Sequence, residues 1–412
     1  MNATPPVTPE LQAATAEPRR SALRERPAVG VLALVGVLLL GSPAPVEDGV
    51  CPYCENDPEQ LAAAGLVSHG PIGIGPAGSE ALADELPASQ WLFLESAHLR
   101  WASSLGPESV KGKDRERLTA ELDRLREHFP DIPRKVKRLD PWLRLHLMAQ
   151  RGEDFYDRFQ QLLRVTDADF PETRSNEGPY MGAGRFLGEK DKFEVILHRS
   201  RETHRMFTAG HMGVSVTDAL RWHVKGAHKM LMSVPAVDGD LKQDRYLHPH
   251  CVHNLSHLFL CAYKHFSYDP PIWLDEGLAH AMEHEVHPDF HTLDGEEGSM
   301  PDSRGPADWD AALAKLHRKG RVTTFAGLLR IQAFGEMSQD DHVSAYGMVR
   351  FLVEEHPEGL AAFLGDVKGQ LDDQGYPDGS DLRGVQRTSL RERLGWTPAQ
   401  LDEALGAWIE AR

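Results

Sequence analysis

The residues best suited to chemistry in this chain are histidines and carboxylates. His253 and His257 stand four apart in His253-Asn254-Leu255-Ser256-His257, so a helix here sets both imidazoles on one face, aimed at a single ion. After eighteen intervening residues comes Glu276, within Trp273-Leu274-Asp275-Glu276-Gly277-Leu278-Ala279. That gap fits a helix end, a turn and a second helix returning beside the first. The carboxylate then completes a two-histidine, one-carboxylate set with an open fourth position, the ligand pattern of catalytic zinc. Composition points the same way. The 412 residues include 21 His and only 4 Cys, with 14 of the His between His198 and His291, which favours imidazole and carboxylate ligation over thiolate.

Two helices must position these groups. The first is expected to open at His248-Pro249, with Leu255, Leu258, Phe259 and Ala262 on the face away from the histidines. The second is expected to start at Pro270-Pro271 and to pack through Leu274, Leu278, Ala281 and Met282, leaving Glu276 on another side.

With His253, His257 and Glu276 at this spacing and the Trp-Leu-Asp-Glu-Gly block in place, the sequence resembles the gluzincin metallopeptidases. This is the thermolysin-like and aminopeptidase N-like group, and within it the peptidase MA-like proteins. The likeness covers residues 245–290 well and the flanking regions diffusely. It implies one zinc ion per chain and a peptide or protein ligand. It also implies that Glu283, two turns after Glu276, orients a ligand histidine. Ala345-Tyr346-Gly347-Met348 resembles the helix whose tyrosine, here Tyr346, stabilises the oxyanion.

One departure governs the function expected. The group's motif is His-Glu-x-x-His, in which the Glu takes a proton from metal-bound water; this chain has Asn254 there. A carboxamide takes up no proton near neutral pH, and positioned acid–base catalysis contributes about 10²- to 10⁴-fold. The reading is therefore a zinc-binding, peptidase-like protein with impaired catalysis. Two alternatives stand beside it: an active hydrolase in which His250, His280 or a carboxylate replaces the base, and a metal-free structural or binding module. For His250 and His280 the plainest account is a surface imidazole.

Nearer the start, residues 1–44 read as a secretory signal or N-terminal anchor. Arg19, Arg20, Arg24 and Arg26 precede a 13-residue apolar run from Ala28 to Leu40, shorter than the ~20 residues that span a bilayer. This implies a secreted, periplasmic or envelope-associated protein whose only membrane contact is an uncleaved leader. Cys51-Pro52-Tyr53-Cys54 follows. A local disulfide or two free thiols is the bland reading of that pair, and a zinc clip with His69 is the sharper one, lacking a fourth ligand. Cys251 and Cys261 read as buried free thiols.

The remaining organisation is an α+β fold. Residues 45–89 hold the Cys-x-x-Cys segment and a Gly/Pro-rich linker, 90–240 an α+β lobe and 241–412 a mainly helical lobe. Strands are expected over Trp91–Ser104, Trp142–Met148 and Phe193–His198, and helices over Glu116–Phe129 and around Phe155–Leu163. The net charge of −17 argues against a nucleic-acid partner, since the field repels a polyanion.

Overall fold

A computed structural model of the protein describes residues 49–86, 90–175, 178–224, 228–237, 239–293 and 308–412. The leader read at 1–44 lies outside the described residues. From Val46 onward the chain forms one compact unit, and among the described residues no helix is long and apolar enough to cross a membrane.

In chain order, α1 (Pro58–Ala63), β1 (Leu66–Ser68) and α2 (Ser79–Glu85) precede the hairpin of β2 (Leu92–Ser96) and β3 (Leu99–Ser103). Next come β4 (Glu108–Ser109), α3 (Arg115–His128), β5 (Arg138–Leu139) and α4 (Pro141–Leu163). β6 (Phe193–His198), α5 (Arg201–Phe207), β7 (Leu220–Val224) and β8 (Lys229–Pro235) complete the strand-bearing part. The rest is helical: α6 (Asp244–Ala262), α7 (Ile272–Val286), α8 (Trp309–Arg318), α9 (Phe325–Leu328), α10 (Gln339–Glu355), α11 (Pro357–Val367), α12 (Leu382–Leu394) and α13 (Pro398–Glu410). The fold is thus α+β, a mixed strand-and-helix part followed by a mainly helical one.

Six strands form one sheet in the order β1-β2-β3-β6-β8-β7. The pairs β3–β6 and β6–β8 are parallel and the others antiparallel. β6 is buried along its whole length, which is why Phe193–His198 reads as a near-continuous apolar run rather than an alternating one. β7 closes one margin of the sheet and is only half-buried.

Three expectations are corrected. Trp91–Ser104 is two antiparallel strands turning at Ala97-His98, not one. Trp142–Met148 is not a strand but the start of α4. The Asp140 side chain accepts a hydrogen bond from Leu143 N at 3.0 Å, and Pro141 sits at the first helical position. Because every residue from Trp142 to Ala149 is buried, the helical stripe vanishes and periodicity no longer separates helix from strand. The stretch read as a linker is folded: β1 pairs with β2, and Ile72, Ile74 and Leu82 are buried in a cluster with Ile196 of the central strand.

α4 is a structural hub. It packs against β2, β3, α6 and α11, and its buried Arg144 pairs with Asp244 at 2.5 Å in the first turn of α6. α6 itself begins four residues before His248. Pro249 is accommodated inside it at the cost of one early backbone hydrogen bond.

Candidate metal centre

The site is assembled on three packed helices. α6 presents His253 and His257, α7 presents Glu276, and α10 crosses α7 closely enough to bring His342 in. Gly277 permits that crossing: a Cβ there would meet Ala345 O at 2.7 Å and Val349 Cγ2 at 2.8 Å. Trp273, one turn before, is buried and donates from Nε1 to Gln386 Oε1 at 2.8 Å, fixing α7 from its other side. The motif's Trp, Glu and Gly therefore have separate jobs: anchor, ligand candidate and helix contact.

His253, His257 and Glu276 converge, with one potential ligand atom from each within 4.8 Å of the others. The two Nε2 atoms lie 3.2 Å apart, and His257 Nε2 lies 3.6 Å from Glu276 Oε1. Glu276 Oε2 faces His280 Nε2 at 3.5 Å and His342 Nδ1 at 3.4 Å. Glu276 is fully buried, yet neither of its oxygens has a hydrogen-bond partner. A buried carboxylate normally satisfies its lone pairs. Separations of 3.2–3.6 Å among converging donor atoms would let one cation touch them together.

Carboxylates stand behind both histidines. His257 Nδ1 lies 2.8 Å from Asp275 Oδ2, and His253 Nδ1 lies 3.4 Å from Glu283 Oε2. Each carboxylate lies on the Nδ1 side of its ring, and Nε2 faces the other ligand candidates. Glu283 is itself held by Thr292, whose hydroxyl donates to Oε1 at 2.6 Å and whose backbone N–H lies 3.0 Å from both oxygens. Burial pushes the Glu276 and Glu283 carboxyls up, but the surrounding imidazoles outweigh it. His257, His342 and His253 hold Glu276 well below the usual carboxylate range, and His253 and His280 do the same for Glu283. Burial lowers His280 to about 3. The centre sets imidazoles around two carboxylates that stay ionised, and the ionised carboxylate is the form that ligates a cation.

Asn254 sits on the same turn with both ends of its amide engaged. Its Oδ1 accepts from Arg221 Nη1 of β7 at 3.0 Å, and its Nδ2 donates to His250 O at 2.9 Å, with His250 Nε2 3.2 Å away. His250 Nδ1 lies 3.1 Å from Thr292 Oγ1. His250 and His280 are completely buried, so neither is the surface imidazole expected. Tyr346 is also buried. Its hydroxyl donates to Asp310 Oδ1 at 2.9 Å and accepts from Arg350 Nη1 at 2.5 Å, and its ring packs on Trp309 and His284. On α10 it is His342, one turn earlier, that reaches Glu276, and sequence reasoning missed it.

A cleft of about 810 Å³ opens beside the centre. His257 and Asp275 line it on one side, and Arg221, Trp222 and His223 of β7 on another. Cys261, half-buried rather than buried, lines it as well; Cys251 is buried, and both are free thiols. In comparisons with known proteins, no family model matches the chain and no curated protein matches it.

Proposed function

We propose that the protein is a secreted or envelope-associated, peptidase MA-like domain of gluzincin type. It binds one zinc ion through His253, His257 and Glu276 and is impaired in hydrolysis because Asn254 occupies the position of the general base. The observation that carries this reading is the convergence of the three side chains around a buried carboxylate with no hydrogen-bond partner on either oxygen. Two imidazoles and one carboxylate suit zinc and leave a position open. His257 is both a member of this trio and part of the cleft wall, so that position is reached from the cleft. The two alternative trios, Glu276–His280–His342 and His253–His280–Glu283, supply no cleft-lining residue.

When bound, zinc at such a set supplies Lewis acidity toward a carbonyl oxygen or water. The chain's own residues supply orientation. Asp275 and Glu283 lie behind the imidazoles, and β7, which among the described strands neighbours β8 alone, stands at the margin of the sheet beside the cleft. An extended peptide segment is the ligand that fits such a margin, through main-chain hydrogen bonds. No proton acceptor stands at Asn254, since its carbonyl oxygen is taken by Arg221. Metal analysis and a peptide-cleavage assay test the reading together. One zinc that depends on His253 and His257, negligible cleavage by the wild type and chelator-sensitive cleavage by Asn254→Glu are expected. Vigorous wild-type cleavage would remove the claim of impairment, and retention of that zinc by His253→Ala would remove the site.

A further inference from the structure

A second group of potential ligands shares no residue with the first. Cys51 and Cys54 come from the turn preceding α1, His69 from the end of β1, and His146 from α4. One donor atom from each lies within 4.8 Å of all the others, and all four residues are buried. Cys51 Sγ is 3.2 Å from His146 Nε2, and Cys54 Sγ is 3.2 Å from His69 Nε2. In a tetrahedral zinc site with Zn–S near 2.3 Å and Zn–N near 2.0 Å, neighbouring ligand atoms lie roughly 3.3–3.8 Å apart. The two Cys–His separations are thus close to those of such a tetrahedron, and the remaining pairs lie within 4.8 Å.

The surroundings favour a cation over the alternatives. His69 Nδ1 lies 3.1 Å from Phe93 O. A carbonyl can only accept, so Nδ1 carries the proton and Nε2 presents a bare lone pair to the sulfurs. His146 Nδ1 is buried without a hydrogen-bond partner. The two thiols are not joined in a disulfide, and a disulfide would offer neither imidazole a donor. The turn is built to hold both sulfurs inward. Glu55 N donates to Cys51 O at 2.9 Å, Asn56 Oδ1 accepts from Cys51 N at 3.1 Å, and Glu55 and Asn56 adopt positive φ. Trp142 packs edge-on against His69, and Phe129 lies against His146, giving the cluster an apolar wall.

From this geometry we propose that Cys51, Cys54, His69 and His146 form a closed, structural Cys2His2 zinc site that fastens the segment ahead of β2 onto α4. All four positions are protein ligands, so the ion has no place for water or substrate, and its role is to hold structure. Binding displaces the thiol protons to solvent and leaves two thiolates on the metal. The proposal does not depend on the His253 centre.

The test uses the full chain, purified without chelators from zinc-supplemented growth, with zinc as the probe. The His253→Ala/His257→Ala double variant is expected to retain one zinc per chain, with X-ray absorption fine structure showing two sulfur and two nitrogen neighbours. Cys51→Ser/Cys54→Ser is expected to lose that equivalent and to become sensitive to proteolysis ahead of Leu92. If the serine variant fails to fold, the absorption measurement on the histidine variant still decides. Absence of zinc from the histidine variant, a shell without sulfur, or a Cys51–Cys54 disulfide in the purified protein would each overturn the proposal.

Discussion

Arg221 Nη1 donates to Asn254 Oδ1 at 3.0 Å, joining the margin of the sheet to the turn of α6 that lies between the two candidate ligand histidines. The contact changes what a simple reversion should do. A carboxylate placed at 254 would face a guanidinium, which holds it ionised and makes it a weak proton acceptor.

Asn254→Glu alone is therefore expected to gain cleavage of a peptide library well short of about 10²-fold, while Asn254→Glu/Arg221→Gln gains at least about 10²-fold. Initial rates with and without chelator provide the comparison. Equal rates for the two variants would show that Arg221 does not restrain the new carboxylate.

Glu283→Gln removes the charge behind His253 while keeping the shape that Thr292 holds. Zinc affinity at the His253 centre is expected to fall by about 10- to 100-fold, the usual consequence of losing a residue that orients a ligand. Competition against a chromophoric chelator measures it. An unchanged dissociation constant would mean that Glu283 serves packing alone.

Gly277→Ala forces a methyl group against Ala345 O and Val349 Cγ2. The strain is expected to cost about 1–3 kcal/mol, read as a lower denaturant midpoint. Zinc binding should weaken too, because α10 must move and it carries His342. Wild-type stability in this variant would contradict the close crossing of α7 and α10.

Acid should destabilise the fold independently of any metal. His198, His248 and His265 are held neutral chiefly by burial, with His265 lowered to about 3. Unfolded, each takes up a proton near pH 6.5. Below that pH the unfolded chain binds more protons than the folded one. Stability is then full above about pH 6.5 and falls as the pH drops toward about 3, by up to about 1.4 kcal/mol per pH unit for each histidine. Denaturant titrations across this window should show the decline in chelator-treated protein, with a shallower slope for His265→Gln. A midpoint that rises on acidification would reverse the argument.

What the sequence revealed tracks how local the determining physics is. His253, His257 and Glu276 are set by one helical turn and one helix–turn–helix return, and the structure brings the three together. His342 lies 66 residues beyond Glu276. It reaches that carboxylate only because Gly277 lets two helices touch, a tertiary fact without a local pattern. His146 was hidden for a different reason. Read as part of a strand, Trp142–Met148 puts it on an alternating face; wound into α4, it turns toward Cys51. A helix buried on every side erases the periodicity that would have distinguished the two. The β1 segment was hidden by its glycines, which here shape turns around a strand pairing with β2 rather than a free linker.

The margin of β7 carries a further consequence. A strand paired on one side only is a template for another copy of the chain as much as for a ligand, and such edges nucleate aggregation when long, flat and apolar. β7 is five residues long and bears Arg221 and His223, and Pro270 and Pro271 line the same cleft. Its brevity, its charge and the neighbouring prolines all act against self-addition at that margin of the sheet.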